Sequence, residues 1–388
     1  MTLLRTRRVL GAMGGVALSL VIATSAVAAP VWQAPINIRT ISTWFVLPED
    51  VGASGDNVVA VWMEFQNSSD DTRVGYKVSN NAGATFGSLH LVPGATGGGG
   101  AICGSDAKVV TTRMNTPTSW AVELSSTDVS GGLVAIQTVA TSSTELSQPD
   151  VACTNGRVFV SWLEDLLDGH VRLRVASALL SSGVFGAPMT LGQQPSDFSY
   201  GLSLAGSGND AYAAFSRLNG KMYVKHWTEG SGPAYPLSSA SAAFVGSGTS
   251  AFPTYEPSID ADGNRVALIW GRCANTYARV SSDAAASWGP VRAIEDDFGC
   301  NVEDAFSGPN SIAVRGARLA AVYNISGIPN ASIDFLVTSS HGFASSERST
   351  LGEHQHHLVT FVNVGGGWKL ADTFNSSGGS RIKFRRQA

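Results

Sequence analysis

Charge is scarce in this chain. Only 14% of its 388 residues are Asp, Glu, Lys or Arg, and the formal net charge is -4. That mildly acidic balance offers no basic surface to a phosphate backbone and argues against nucleic acid as a partner. Long apolar runs are also scarce. Beyond the first thirty or so residues no stretch approaches the ~20 needed to cross a bilayer, so no membrane association is expected once the leader is removed. No convincing helical period appears outside the N-terminus. Cysteine is limited to Cys103, Cys153, Cys273 and Cys300. No two of them form a C-x-x-C pair, so neither structural zinc nor another metal centre is expected. No cofactor fingerprint is present either, and none is expected.

The leader itself is legible. Arg5, Arg7 and Arg8 precede the apolar run Val9 to Ala23, and Ala26-Val27-Ala28 ends it with small residues. This is the pattern of a secretory signal peptide cleaved after Ala28. Thr6-Arg7-Arg8-Val9-Leu10 also has a weak twin-arginine character. The expectation is a secreted chain, with residues 29–388 as a single domain. Four cysteines in an exported chain read as disulfides, with three possible connectivities.

What the chain has in abundance is glycine, 43 residues of it, alongside Ser, Thr and Val, as many short strands and tight turns require. The clearest unit is Glu256 to Ile294. Pro257–Asp260, Arg265–Trp270, Thr276–Ser281 and Pro290–Ile294 read as four strands, the first two joined through Asp262-Gly263, a strong hairpin signal. Val266-Ala267-Leu268-Ile269-Trp270 does not alternate, which predicts burial on both faces. Its pattern recurs with aromatic ends at Trp62, Trp162, Phe215, Trp270 and Tyr323. Weaker copies lie at Ser119–Val122 and Gly367–Ala371. A repeat of this length marks a radial or linear array.

The ends of the array complement each other. Trp32–Ile38 resembles an outer strand with no sheet of its own, and Arg381–Phe384 reads as a third strand with no fourth. Pairing them closes a ring and removes two exposed edges. The fold class is therefore all-β: a β-propeller of four-stranded antiparallel blades, the ring closed by the N-terminal outer strand. Seven blades are favoured, at roughly 40–95, 96–145, 146–195, 196–250, 251–298, 299–352 and 353–388. Six blades with an irregular insertion near Thr96–Ser147 is the alternative.

Two stretches resemble a family motif. Ser79-Asn80-Asn81-Ala82-Gly83-Ala84-Thr85-Phe86 and Ser281-Ser282-Asp283-Ala284-Ala285-Ala286-Ser287-Trp288 are similar to the Asp-box, or BNR repeat, of the sialidase-like (neuraminidase superfamily) β-propellers. Each departs from it once, with Asn81 in place of Asp and Ala285 in place of Gly. The resemblance implies a propeller of that superfamily. Sialidases grip a sialic acid carboxylate with three arginines and use an aspartate and a glutamate-assisted tyrosine, and their first blade carries Arg-Ile-Pro. Here Arg39 is followed by Thr40-Ile41, so that motif is absent and no catalytic residue can be assigned. Fold likeness does not confer the activity.

Residues two places beyond the second-strand aromatic should ring the mouth of a propeller channel: Glu64, Glu164, Arg217 and Arg272. Two guanidiniums on adjacent blades suit a carboxylate, and the glutamates suit acid–base work or sugar hydroxyls. Tyr255 is a further candidate. These five form the expected ligand-binding set. Cys273 and Cys300 fall on one face of neighbouring blades and are expected to pair, leaving Cys103 with Cys153. His354, His356 and His357 precede the last inner strand, where a polar connection is the simpler reading than a metal site. The function expected is non-catalytic binding of a carbohydrate or cell-surface ligand by a monomer. The alternatives are an exo-sialidase or related glycoside hydrolase, and a structural or protein-interaction propeller.

Overall fold

The computed structural model describes residues 31–66, 71–195, 201–229, 243–248, 254–272, 275–295, 306–328, 331–339, 342–343, 347–353, 356–376 and 379–388. Among them are seven four-stranded antiparallel sheets. The chain enters through β1 (Ile36–Thr40). Blade 1 is β2 (Phe45–Ser54), β3 (Asn57–Phe65), β4 (Thr72–Ser79) and β5 (His90–Pro93). Blade 2 is β6 (Ala95–Cys103), β7 (Asp106–Thr116), β8 (Ser119–Asp128) and β9 (Leu133–Ser142). Blade 3 is β10 (Leu146–Cys153), β11 (Arg157–Asp165), β12 (His170–Leu179) and β13 (Met189–Pro195). Blade 4 is β14 (Leu202–Ser207), β15 (Asp210–Ser216), β16 (Met222–Thr228) and β17 (Ala243–Gly246). Blade 5 is β18 (Thr254–Asp262), β19 (Arg265–Arg272), β20 (Asn275–Ser281) and β21 (Arg292–Glu295). Blade 6 is β22 (Phe306–Arg315), β23 (Arg318–Ile328), β24 (Ala331–Ser339) and β25 (Glu347–Glu353). Blade 7 is β26 (His357–Val364), β27 (Gly367–Asn375) and β28 (Arg381–Arg386), completed by β1.

The closure is a true ladder. Ile36 pairs with Phe384 and Thr40 with Arg381, and Trp32 bridges Gln387 further out. Ile38, Ile382 and Phe384 are buried in one cluster with Val46, Trp62 and Leu358, so the last blade and the first share a core. Elsewhere the second strands supply the core between blades. Val266 to Gly271 is buried without a break, as a strand packed on both faces requires. Trp62, Trp162, Phe215, Trp270 and Tyr323 are all fully enclosed.

Blade 2 departs from the expected pattern. Ser119–Val122 is not a second strand: Trp120 begins the third strand, β8, and β7 is the second. The inner strand β6 carries four glycines in a row, Gly97 to Gly100, where the other inner strands carry side chains. A methyl on Gly98 would lie 2.8 Å from Val74, and one on Gly100 would lie 2.7 Å from Val61. The tract lets blade 2 press against blade 1, and it leaves no side-chain pattern by which the sequence could mark an inner strand. The same residues exclude six blades with an insertion, because β6 to β9 form a complete sheet.

The two hairpins that resemble the Asp-box fold as their residues require. The Asn81 carboxamide oxygen accepts from Ser79 Oγ and Thr85 N, both at 2.9 Å. Asp283 Oδ1 accepts from Ser281 Oγ at 2.7 Å and Ser287 N at 2.8 Å. The turn residues carry positive φ: Gly83 at 77°, and Ala285 at 64° despite its Cβ. Among the described residues no helix is long and apolar enough to cross a membrane.

Candidate functional site

The inner strands enclose an axial channel with a cavity volume of about 710 Å³. Register fixes what faces it. The residue paired with the one before each second-strand aromatic is Asp50, Asp150, Ser203, Ser258 and Ser311 in blades 1, 3, 4, 5 and 6. Gly99 holds this place in blade 2 and Thr360 in blade 7. The side chains of Asp50, Asp150, Ser203, Ser258 and Ser311 each tie their blade to the next. The Gly100 N–H donates to Asp50 Oδ2 at 2.7 Å, and the Leu204 N–H to Asp150 Oδ2 at 2.6 Å. Ile259 N donates to Ser203 Oγ at 3.3 Å, Ile312 N to Ser258 Oγ at 3.1 Å, and Val359 N to Ser311 Oγ at 3.2 Å. One turn deeper, Val314 N donates to Asp260 Oδ2 at 2.6 Å.

Gly99 has no side chain to contribute. A methyl there would lie 3.0 Å from the Pro149 carbonyl and 3.4 Å from Asp150 Oδ1. Blades 2 and 3 are joined instead by the Cys103–Cys153 disulfide, with a Cα separation of 5.5 Å. This is the pairing expected by default from the sequence. Cys273 and Cys300 lie outside the described residues, as does His354.

The channel carboxyls hold their protons unusually tightly. Burial pushes Glu49 up to about 7 against a backbone hydrogen bond from Gly98. Burial lifts Asp50 to about 6, and burial plus the charge of Asp50 lifts Asp150 to about 8. Asp260 is pushed up to about 7, again by burial first. All four retain some exposure to the lumen, so the cause is a narrow, poorly solvated passage rather than complete enclosure. Among the described residues no group of three or more His, Cys, Asp or Glu side chains is placed to hold a metal ion.

None of the five residues singled out from the sequence lines this channel. Glu64 is fully buried and committed. It accepts from Arg39 Nε at 2.6 Å, Arg73 Nε at 2.5 Å and Trp62 Nε1 at 2.8 Å. Burial alone would raise its carboxyl, but these three donors hold it below the ordinary value. Glu164 is partly exposed, 3.2 Å from Arg172 and 3.5 Å from Arg174. Tyr255 pairs with Gly271, and its ring occupies the space where a side chain on Gly271 would sit.

Arg217 and Arg272 do fall on adjacent blades, at matching ends of β15 and β19. The Arg217 guanidinium lies 4.5 Å from the Tyr223 ring centre and 5.3 Å from that of Phe215, and its Nη2 donates to the Leu191 carbonyl at 3.2 Å. Arg272 reaches back to blade 4, donating from Nη1 to Ser247 Oγ at 3.3 Å.

No protein-family model matches this chain, and no curated protein resembles it in sequence. Solved structures do resemble it in fold. The β-propeller domain of the Trilobed protease from Pyrococcus furiosus, described as an open velcro topology, aligns with a TM-score of 0.50 at 10% identity, over 89% of this chain and 94% of that one. The acylaminoacyl peptidase of Pyrococcus horikoshii aligns with a TM-score of 0.50 at 12% identity, over 88% of this chain but 52% of its own, so this chain spans about half of that peptidase. A neuraminidase-like protein from A/bat/Guatemala aligns with a TM-score of 0.48 at 8% identity, over 94% and 95% of the two chains. The likeness is one of fold alone.

Around Arg217 the propeller face carries residues that no sequence motif marked. Tyr223 meets Phe244 edge-on at 6.1 Å and accepts from Asn219 Nδ2 at 2.8 Å. Lys221 Nζ lies 5.3 Å from the Phe244 ring centre, and Phe244 is 51% exposed. Register links them, since Phe244 is the partner of Tyr223 across β16 and β17. Phe244 sits in a four-residue strand too short to show a period, so it left no trace in the sequence.

Proposed function

We propose that this protein is an exported, non-catalytic binding propeller that takes a carboxylate-bearing glycan or similar cell-surface ligand on the rim of blades 4 and 5. The observation that carries this reading is the Arg217 guanidinium stacked on Tyr223 beside the exposed ring of Phe244. Aromatic faces stack on sugar rings, and a guanidinium held flat by an aromatic presents its edge to a carboxylate. Arg272 extends the same rim onto blade 5.

A non-catalytic role is supported by the missing Arg-Ile-Pro motif and by Arg39, which is engaged with Glu64 rather than free for a ligand. Export is supported by the leader over residues 1–28 and by the Cys103–Cys153 disulfide, which suits an oxidising compartment. Pairing of Cys273 with Cys300 belongs to the same proposal, and thiol titration of the unfolded, unreduced chain is expected to find no free thiol.

The test is an array of sialylated, uronate-bearing and neutral glycans with the mature protein. Binding that requires a carboxylate and is lost in Arg217→Ala and Phe244→Ala supports the reading. Binding undiminished in Arg217→Ala and Arg272→Ala overturns the assigned face. Turnover of a fluorogenic sialoside overturns the non-catalytic role.

A further inference from the structure

Blades 1 and 3 fill one position alike. Glu64 near the end of β3 pairs across the ladder with Arg73 of β4, and Glu164 near the end of β11 pairs with Arg172 of β12. Both are ion pairs, at 2.5 Å and 3.2 Å. A carboxylate opposite a guanidinium is the favourable choice, since like charges facing each other across a ladder are destabilising.

Blade 4 reverses the glutamate. Arg217 stands in its place, and Lys221 stands in place of the arginine: the Arg217 N–H donates to the Lys221 carbonyl at 3.2 Å, one step beyond the Ser216–Met222 pair. Two cations therefore face each other, and among the described residues no carboxylate pairs with either. Asp210 and Glu229 lie at the far end of these strands, bonded to His226 and Thr154. Glu256, on the inner strand of blade 5, forms no ion pair among the described residues, and burial pushes its carboxyl up to about 7. The loop between the two cations is braced. Asn219 donates from Nδ2 to the Tyr223 hydroxyl at 2.8 Å and accepts from the Lys221 N–H at 3.1 Å. The Gly220 N–H donates to the Arg217 carbonyl at 2.7 Å, and the Leu218 N–H to the Gln193 carbonyl at 3.2 Å. Arg217 lies on Tyr223, and Lys221 lies beside the open ring of Phe244.

We propose that this rim takes a glycan carrying two anionic groups, a sulfated uronate, with its carboxylate on the Arg217 guanidinium and its sulfate ester on the Lys221 ammonium. The inference rests on the reading of the rim as a glycan site and narrows it. The ligand supplies the negative charge that blades 1 and 3 carry at this position and blade 4 lacks. The two cations differ in kind. A stacked guanidinium presents a planar fork that matches a carboxylate, whereas an ammonium is a point charge suited to one sulfate oxygen. A glycan with a single carboxylate would answer Arg217 and leave Lys221 facing it uncompensated.

The test uses the mature protein and three oligosaccharides of equal length: unsulfated chondroitin, chondroitin sulfate, and chondroitin sulfate with its carboxyls reduced. Calorimetric titration is expected to show the first and third binding about tenfold more weakly than the second. Lys221→Gln should erase the preference for sulfate and leave affinity for the unsulfated form unchanged. Lys221→Glu restores a carboxylate opposite Arg217, as in blades 1 and 3. It should abolish binding of all three while the melting temperature falls no lower than that of wild type. Equal affinity for sulfated and unsulfated forms, or a sulfate preference that survives Lys221→Gln, overturns this inference; the rim reading then stands if Arg217→Ala still removes binding. Indifference to carboxyl reduction also overturns it, since a lone sulfate would then be the group bound. Binding of none of the three overturns the inference and the rim reading together.

Discussion

Ring closure puts Gly83 and Phe384, residues 301 positions apart, in direct contact, and that contact can be weighed. A Cβ on Gly83 would lie 2.0 Å from Phe384 Cε1 and 2.4 Å from Cζ. Gly83→Ala therefore forces a methyl into the ring at φ 77°. Overpacking costs ~1–3 kcal/mol, and the left-handed backbone adds roughly 1 kcal/mol. Phe384 is 1% exposed and meets Phe86 edge-on at 5.3 Å, so Phe384→Ala should cost ~3–5 kcal/mol. The double variant is expected to cost less than the sum by ~1–2 kcal/mol, because alanine at 384 makes room for the methyl and only the backbone strain persists. Chemical unfolding of the four proteins measures the coupling, checked by equal m-values and by faster amide exchange over Ile36–Thr40 in Phe384→Ala. Strictly additive costs, or unaltered exchange in β1, would refute the contact and with it the closure.

Other consequences follow from the site. Reducing Cys103–Cys153, or replacing both by serine, opens a crosslink spanning 50 residues and should cost about 4 kcal/mol by loop entropy; unchanged unfolding in reductant would refute this. The carboxyls of Asp50 and Asp150, pushed up to about 6 and 8, bind protons more tightly folded than unfolded. Their contribution is full below the ordinary carboxylate range and is lost as pH rises through about 6 to 8. The melting temperature should fall between pH 5 and 9, and Asp150→Asn, which cannot ionise, should flatten that fall; a rising curve refutes the assignment. Glu64→Gln strands Arg39 and Arg73 and should cost ~3 kcal/mol, whereas Glu164→Gln, with a partly exposed pair, should cost under ~1 kcal/mol. The lowered carboxyl of Glu64 works in the opposite sense, stabilising above its ordinary pKa and fading as pH falls. Equal costs for the two variants would refute the distinction.

Most of the architecture was legible because a propeller repeats one problem seven times. The apolar run of β19 and the aromatics at 62, 162, 215, 270 and 323 each solve it alike, and a lone outer strand at one end matched a lone third strand at the other. Blade 2 was obscure for a physical reason: Gly97–Gly100 buys close approach to Val61 and Val74 at the loss of a side-chain pattern, and Trp120 displaced the reading by one strand. Position along a blade put Arg217 and Arg272 at matching ends of neighbouring second strands. It could not show that Glu64 would be consumed by Arg39 from the closing strand, 25 residues away in sequence. Nor could it find Phe244, whose relevance depends on a pairing across β17.

The seam between blades 2 and 3 has a consequence for where this molecule can work. Every hydrogen-bonded strap between inner strands is indifferent to redox conditions. At Gly99, where no strap is possible, the join is a sulfur–sulfur bond. Among the described residues, a reducing environment would thus act on this joint, loosening the annulus beside the crowded glycine strand while the hydrogen-bonded straps hold.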